Sequence, residues 1–315
     1  MLKYVTLVNE PWMPIGATKA KEDFAKIANQ NNWQIINIDR AEETVDISKL
    51  EKDDILIHQF PSYLSAEWEN KLADEIKKIN AKLVYLIHDI EPFRMKRDNP
   101  WEFQLFKKAD LLIVHNPIMK NRLNNESVDT PMISIGFFDY LTEEKANKHQ
   151  FETIINYAGT LSKANFLLDK FTNFPINVYG GKPKKWPDTL PENINYQGAF
   201  KPEELPSKLS DGFGLLWDDE PYHQYEIINT PHKLSLYLAA GLPVIIWSKA
   251  AMTPAIKQQR LGFTIDVLSD LDKIILNSDE YEYQNLLTNV EKIGQKIRNG
   301  DYSKLVLQRV EDYFQ

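Results

Sequence analysis

The sequence predicts an α/β protein built from two doubly wound, Rossmann-like domains. Short apolar runs alternate with helical patterns along the chain, and a polar stretch over residues 138–150 interrupts this alternation. The runs are continuously apolar, which is typical of parallel strands covered by helices on both faces. At 315 residues the chain also exceeds the usual size of one domain.

The first half of the chain predicts one parallel sheet. In the helix predicted over 65–79, Trp68, Leu72 and Ile76 recur at four-residue spacing and form one apolar face. A second clear helix is predicted over 24–29. The predicted strands of this half are residues 4–8, 33–38, 55–58, 83–88 and 111–115.

A second α/β series follows the polar stretch. Its predicted strands are 153–157, 176–179, 194–196, 212–217, 244–247 and 263–265. Its predicted helices are 164–171, 202–209, 231–240 and much of 280–298. Residues 302–314 have apolar spacing typical of a terminal helix, which we expect to pack back on the first domain. The predicted domains are therefore 1–145, 146–299 and a C-terminal helix over 300–315.

The most informative segment covers residues 230–246. Pro231 suits the start of a helix, and Gly241 suits the left-handed residue that follows its end. Lys233 then falls in the first turn, where backbone N–H groups and partial positive charge favour a phosphate. An ordinary α/β crossover with a solvated lysine remains an alternative interpretation.

Four strand ends carry polar side chains, and ligands of such sheets bind at the carboxyl ends of strands. The first strand is followed by residues 9–12 and by a turn from Gly16 to Thr18, where the backbone could approach a ligand. His88 and Asp89 follow the fourth strand and provide a candidate acid/base pair. The turn from Gly159 to Lys163 has a glycine, two hydroxyls and a cation that suit a diphosphate. Residues 218–220 are three consecutive acids. At each place an ordinary polar loop remains an alternative.

Composition excludes several classes of function. The chain has no cysteine, so disulfides and thiolate chemistry are excluded, and a cytoplasmic location is expected. A net charge of −8 disfavours a nucleic-acid partner. No run is long and apolar enough to span a membrane, and no signal peptide is predicted. The six histidines lack a metal-ligand spacing, so no metal site is predicted.

The pair His88-Asp89 with Pro92, the block 212–219 and the segment 232–246 together resemble a bacterial glucosyltransferase family. Its members extend O-glycans on serine-rich repeat adhesins, and related sequences are labelled β-1,6-galactofuranosyltransferases. The resemblance implies a GT-B fold, with an acceptor-side N-terminal domain and a nucleotide-sugar-binding C-terminal domain facing a cleft. It also implies metal-independent transfer, no cofactor besides the UDP-sugar substrate, and a homo-oligomer, either a dimer or a tetramer.

The resemblance assigns a donor site. It implies that Tyr196 contacts the nucleotide and that Lys163 contacts the diphosphate, where the family has an arginine. The turn around Gly16 matches a nucleotide contact that a threonine makes, and Thr18 is the candidate for that threonine. The segment that holds the diphosphate corresponds to Lys233, Leu234, Ser235, Leu236, Tyr237 and Leu238.

The catalytic assignment is less complete. Many retaining GT-B enzymes carry two glutamates where this chain has Ile228 and Leu236, so Glu226 or the acids at 218–220 are possible substitutes. Stereochemistry stays open, and His88 or Asp89 is expected to orient or deprotonate the acceptor. The expected reaction moves glucose or N-acetylglucosamine from a UDP-sugar to an N-acetylglucosamine-modified serine or threonine. Galactofuranosyl transfer to a polysaccharide repeat unit, a catalytically inactive partner protein and a small-ligand binding protein remain alternatives.

Overall fold

A computed structural model describes residues 1–9, 15–96, 101–143 and 148–315. The chain divides into two compact units. Unit 1 comprises Met1–Asp139 together with Gly300–Gln315, and unit 2 comprises Tyr140–Asn299. Both are α/β units built on a mainly parallel sheet, which confirms the predicted fold class.

The described part of unit 1 forms a seven-stranded sheet in the order β3-β2-β1-β4-β5-β6-β7, parallel except for the antiparallel β3. The strand order reverses between β1 and β4, as in doubly wound sheets. Its strands are β1 (Lys3–Asn9), β2 (Gln34–Asp39), β3 (Thr44–Val45), β4 (Ile55–Phe60), β5 (Lys82–Ile87), β6 (Leu111–Val114) and β7 (Met132–Ser134). Its helices are α1 (Ile15–Gln30), α2 (Ala66–Ile79), α3 (Glu91–Arg94), α4 (Trp101–Phe106), α5 (Pro117–Asn125) and the terminal α12 (Asp301–Phe314).

The described part of unit 2 forms a six-stranded parallel sheet in the order β10-β9-β8-β11-β12-β13. The order reverses between β8 and β11. The strands are β8 (Ile155–Ala158), β9 (Ile176–Tyr179), β10 (Ile194–Gly198), β11 (Phe213–Leu216), β12 (Val244–Trp247) and β13 (Gly262–Ile265). The helices are α6 (Leu205–Lys208), α7 (Tyr222–Tyr225), α8 (His232–Ala240), α9 (Thr253–Gln259), α10 (Leu271–Asn277) and α11 (Glu280–Asn299).

Local sequence signals set the ends of the clearest helices. The Ser65 hydroxyl caps α2 by accepting a hydrogen bond from the Trp68 N–H at 3.1 Å. Asn80 ends α2 in the left-handed conformation. Pro231 precedes α8, and Gly241 ends it with φ 88°, a left-handed conformation that glycine adopts without a Cβ clash.

The terminal helix α12 packs on unit 1, as expected from its apolar spacing. Asp139 accepts hydrogen bonds from the backbone of Ser303 (2.7 Å) and Tyr302 (3.3 Å) at the helix start. Near the other end, Glu311 accepts from Lys3 (2.7 Å) and Trp33 (3.0 Å). The helix therefore completes the first unit although it follows the second in sequence.

Two predicted helices are wrong in extent. Residues 164–171 contain one short 3₁₀ turn, Asn165–Leu168, which ends where Asp169 adopts an extended conformation, and another 3₁₀ turn, Leu161–Lys163, precedes it. The Asp219 carboxylate accepts hydrogen bonds from the N–H groups of Asn165 and Phe166 at the start of the turn. The helix predicted over 202–209 is confined to α6. Pro206 has no N–H to donate to the Pro202 carbonyl, which accepts instead from the Tyr140 hydroxyl at 2.7 Å.

Candidate functional site

The candidate site lies where the strand order of unit 2 reverses. In doubly wound sheets, ligands bind at the carboxyl ends of the two strands that flank such a reversal. Here β8 ends at Ala158 and leads into Gly159, while β11 ends at Leu216 and leads into Trp217 and Asp218. The first turn of α8 contributes the third side of the site through Lys233.

The Lys233 ammonium has three hydrogen-bond acceptors among the described residues. They are Asp218 Oδ1 at 2.8 Å, the Tyr157 hydroxyl at 3.0 Å and the Trp217 carbonyl at 3.4 Å. The Tyr157 hydroxyl donates its proton to Asp218 Oδ1 at 2.7 Å, so its lone pair is available to the ammonium. Lys233 is therefore not solvated. It is fixed at the switch point of the sheet, which is the place where the strand order reverses between β8 and β11.

Gly159 provides the space that the lysine stem occupies. Its φ is +148°, and a Cβ built at this position would lie 3.3 Å from Lys233 Cε. The ammonium also lies 4.2 Å from the centre of the Tyr157 ring, within the range of a cation–π interaction. The predicted turn after β8 and the predicted lysine of α8 are therefore neighbours.

Lys163 lies on the same side of unit 2. Its Nζ is 4.0 Å from the centre of the Tyr222 ring, and its carbonyl accepts from the Asp219 N–H at 2.7 Å. The Asp219 carboxylate in turn accepts from the backbone of Asn165 at 2.7 Å and Phe166 at 3.1 Å. Of the three predicted acids, Asp218 holds Lys233 and Asp219 holds the Lys163 turn.

A buried aromatic cluster flanks this site. The His223 ring stacks on Trp217 and lies close to Trp247, with centroid distances of 4.1 Å in both cases. His223 Nδ1 is 3.6 Å from Glu226 Oε1. Neither His223 Nδ1 nor Glu226 Oε2 has a hydrogen-bond partner among the described residues. Burial raises the pKa of Glu226 to about 7, against the opposing influence of His223.

The rest of the predicted diphosphate segment serves the interior of unit 2. Leu234, Ser235, Leu236 and Leu238 are buried side chains of α8. The Tyr237 hydroxyl accepts from the Ala158 N–H at 2.9 Å and donates to the Leu215 carbonyl at 3.2 Å. These contacts join α8 to β8 and β11. The five side chains after Lys233 therefore pack in the interior of unit 2 and hold the helix that carries Lys233 against the sheet.

Tyr196 lies elsewhere on unit 2. It belongs to the edge strand β10, which β9 separates from β8. Its hydroxyl donates to the Gly180 carbonyl at 2.9 Å and accepts from the Lys182 N–H at 3.3 Å. The side chain is 40% exposed and lies on a strand two positions away from β8.

The two predicted catalytic residues lie in unit 1 and differ in their environment. His88 follows β5, stacks on Phe138 with a centroid distance of 5.5 Å, and bonds Gln59 Oε1 through Nε2 at 3.0 Å. Asp89 accepts from Arg94 at 2.6 Å and from the Tyr63 hydroxyl at 3.4 Å. Asp89 is thus neutralised by a cation, whereas His88 is held by a neutral amide.

The residues predicted to make a nucleotide contact in the N-terminal domain lie partly within the described chain. Gly16 lies in the first turn of α1, and Thr18 is a half-buried residue of the same helix. Residues 10–14, which precede this turn, lie outside the described residues.

Over the described ranges, no three His, Cys, Asp or Glu side chains are grouped so as to hold a metal ion. No helix in the same part of the chain is long and apolar enough to cross a membrane.

The sequence did not predict Tyr157 as a contact of Lys233 or Gln59 as a contact of His88. Both are buried strand residues, and the local sequence gives no signal of the partner of a buried polar side chain. Their position at the carboxyl ends of β8 and β4 was the available signal, because these strands flank the two reversals of strand order.

Comparisons with known proteins identify the family. Residues 2–137 match the N-terminal domain of glucosyltransferase 3-like proteins, and residues 155–310 match the C-terminal domain. The beta-1,6-galactofuranosyltransferase WbbI from Escherichia coli K12 is 30% identical over 93% of this chain and 94% of its own. Glucosyltransferase 3 from Streptococcus gordonii is 28% identical over 81% of this chain and 78% of its own.

Solved structures share the fold at low sequence identity. Sucrose-phosphate synthase from Thermosynechococcus elongatus has a TM-score of 0.71 at 11% identity, with 99% of each chain covered. An alpha-glucosyltransferase in complex with UDP has a TM-score of 0.65 at 13% identity and full coverage of both chains. Anabaena HepE, in complex with UDP and glucose, has a TM-score of 0.65 at 12% identity over 98% of this chain and 100% of its own. The two family models together cover most of the chain, and the solved structures share its fold, so the chain belongs to the glucosyltransferase 3-like family of bacterial GT-B glycosyltransferases.

Proposed function

We propose that this glycosyltransferase moves glucose or N-acetylglucosamine from a UDP-sugar to N-acetylglucosamine on a serine or threonine of a bacterial adhesin. The main support for this proposal is the position of the Lys233 ammonium, which is fixed at the switch point of the unit 2 sheet. UDP as the nucleotide is supported by two structures of the same fold that contain it. Glucose as the sugar is supported by the name of the two glucosyltransferase 3 relatives.

The donor chemistry needs positive charge at the leaving group. When the bond between the sugar and the diphosphate breaks, negative charge develops on the diphosphate. Lys233, Lys163 and the first-turn N–H groups of α8 supply positive charge from the same side of unit 2. Because these groups are cationic or N–H donors, we propose that transfer proceeds without a metal ion.

The acceptor chemistry needs a group that orients the hydroxyl or takes its proton. We assign this role to His88, because its side chain titrates near neutrality in ordinary surroundings. Asp89 is a weaker candidate, since its carboxylate is already paired with Arg94 at 2.6 Å.

We also propose that the protein is cytoplasmic and that it is a homo-oligomer, either a dimer or a tetramer. Light scattering of the purified chain tests the oligomeric state.

A second candidate is galactofuranosyl transfer to a polysaccharide repeat unit. The observation that favours it is the identity of 30% with the galactofuranosyltransferase over 93% of the chain, against 28% over 81% for a glucosyltransferase 3 relative. Both candidates use the Lys233 site in the same way. They differ in the donor sugar and in the acceptor.

The test is a donor and acceptor panel. UDP release is measured with UDP-glucose, UDP-N-acetylglucosamine and UDP-galactofuranose, each with a GlcNAc-peptide or a lipid-linked glycan, with and without EDTA. The proposal expects UDP-glucose or UDP-N-acetylglucosamine with the GlcNAc-peptide to be productive, and EDTA to have no effect. Productive UDP-galactofuranose with the lipid-linked acceptor favours the second candidate. Absence of turnover and of UDP binding indicates a catalytically inactive protein, and loss of activity in EDTA contradicts metal independence.

A further inference from the structure

The side chain of Gln59 contacts His88 from the neighbouring strand. Gln59 is fully buried in β4, and His88 follows the adjacent parallel strand β5. Gln59 Oε1 and His88 Nε2 are 3.0 Å apart. The Phe138 ring stacks on the His88 imidazole at an interplanar angle of 19°. The imidazole plane and one of its nitrogens are therefore fixed by two neighbours.

The orientation of the Gln59 amide follows from its partners. Gln59 Nε2 lies 2.8 Å from the Thr6 carbonyl and 3.1 Å from the Lys21 carbonyl. Both partners are acceptors, so this end of the amide must be the NH₂ group. The opposite orientation would place an amide oxygen against two carbonyl oxygens in the buried interior. The atom that faces His88 is therefore the amide oxygen, which accepts hydrogen bonds and donates none.

The environment of Gln59 makes this orientation rigid. Its backbone N–H donates to Thr6 Oγ1 at 3.0 Å, and Thr6 Oγ1 bonds His58 Nδ1 at 2.9 Å. His58 Nε2 then bonds Glu69 Oε2 at 3.0 Å. Burial alone would raise the pKa of Glu69, but His58 and Ser62 lower it. This series of buried hydrogen bonds therefore ends at the ionised Glu69 carboxylate, which accepts.

We propose that Gln59 is a positioning residue that holds His88 in the Nε2–H tautomer, so that Nδ1 is the nitrogen that takes up a proton during transfer. The catalytic half of this inference rests on the proposed function of His88. As the acceptor oxygen bonds to the sugar carbon, its proton moves to Nδ1 and the ring becomes an imidazolium. The bond from that carbon to the diphosphate breaks, and its electron pair leaves with UDP.

The first test is a tautomer measurement without any sugar. Long-range ¹H–¹⁵N spectra of the full chain labelled in histidine are recorded above the pKa of His88, with His88→Gln identifying the signal. We expect His88 to carry its proton on Nε2. A proton on Nδ1 overturns the inference, whatever the transferase assay shows. His115 serves as an internal reference for this tautomer, because its Nε2 lies 3.0 Å from the Ile87 carbonyl, which can only accept a hydrogen bond.

The second test changes Gln59. Gln59→Met keeps the length of the side chain and removes the acceptor, so we expect a mixture of tautomers and a kcat at least tenfold lower with little change in donor KM. If Gln59→Met does not fold, the wild-type spectrum decides. A shifted tautomer with unchanged kcat contradicts the inference, whereas the expected tautomer in a chain without any transfer contradicts the proposed function instead.

Discussion

The ammonium of Lys233 and the carboxylate of Asp218 form an ion pair with a distance of 2.8 Å at the switch point of unit 2. The two side chains are partly buried, with exposed fractions of 13% and 22%. Asp218 also fixes the Tyr157 hydroxyl that contacts the same ammonium. The carboxylate therefore positions the lysine but also cancels part of the charge that an arriving diphosphate would meet.

The first prediction concerns this balance of charge. Asp218→Asn should tighten UDP binding by about fivefold, because it removes a negative charge worth about 1 kcal/mol against the diphosphate while keeping an acceptor for the lysine. Isothermal titration calorimetry at low ionic strength measures the change. The exposed Glu192→Gln in the same unit serves as a control with no expected effect. Weaker binding by Asp218→Asn would mean that positioning of Lys233 outweighs the charge.

The second prediction concerns the space beside Lys233. Gly159→Ala should destabilise the protein by about 1–3 kcal/mol, because an L residue is strained at φ +148°. It should also weaken UDP binding, since the added Cβ lies 3.3 Å from Lys233 Cε. Gly181→Ala is the matched control, because its Cβ meets nothing within 4 Å. Equal melting temperatures and equal UDP affinities for the two variants would contradict this prediction.

The third prediction concerns pH and Glu226. The pKa of this acid is raised from 4.5 to about 7 in the folded chain, so between these values the unfolded chain loses the proton first. Its contribution therefore lowers the free energy of unfolding as pH rises, by up to about 3 kcal/mol in total, with no further change above pH 7. Glu226→Gln removes this contribution. Denaturant unfolding from pH 4 to 8 should show the variant gaining stability relative to wild type, and parallel profiles would contradict the assignment.

The fourth prediction concerns the contacts behind the site. Tyr237→Phe leaves the buried Ala158 N–H without its partner, which should cost about 1–3 kcal/mol of stability. UDP affinity should change little, since the Tyr237 hydroxyl faces β8 and β11 and not the ligand side of Lys233. Tyr281→Phe, at a side chain that is 79% exposed, is the control. A Tyr237→Phe variant as stable as this control would contradict the structural role.

Local signals in the sequence predicted the elements that carry the site. The continuous apolar runs of β11 and β12 and the Gly241 end of α8 each depend on residues close in sequence. The helix predicted over 164–171 is only a 3₁₀ turn, and its first N–H groups are held by Asp219, more than fifty residues away. A tertiary contact of this kind leaves no trace in local periodicity.

The site itself was predictable in its parts but not in its contacts. Lys233 was predicted from its place in the first turn of α8, and Asp218 from its place after β11. Their contacts with Tyr157 span 76 and 61 residues and depend on β8 and β11 being neighbours, which the order of elements in the chain does not reveal. The Gln59–His88 contact depends in the same way on the pairing of β4 with β5.

We propose that the diphosphate of a UDP-sugar binds at Lys233 without a metal ion. The decisive measurement is calorimetric titration of UDP, in the presence of EDTA, into the wild-type chain, Lys233→Ala and the exposed control Lys292→Ala. We expect wild type and Lys292→Ala to bind UDP equally and Lys233→Ala to bind it at least tenfold more weakly. Failure of the wild-type chain to bind UDP in EDTA, or binding by Lys233→Ala as tight as that of wild type, would refute the proposal.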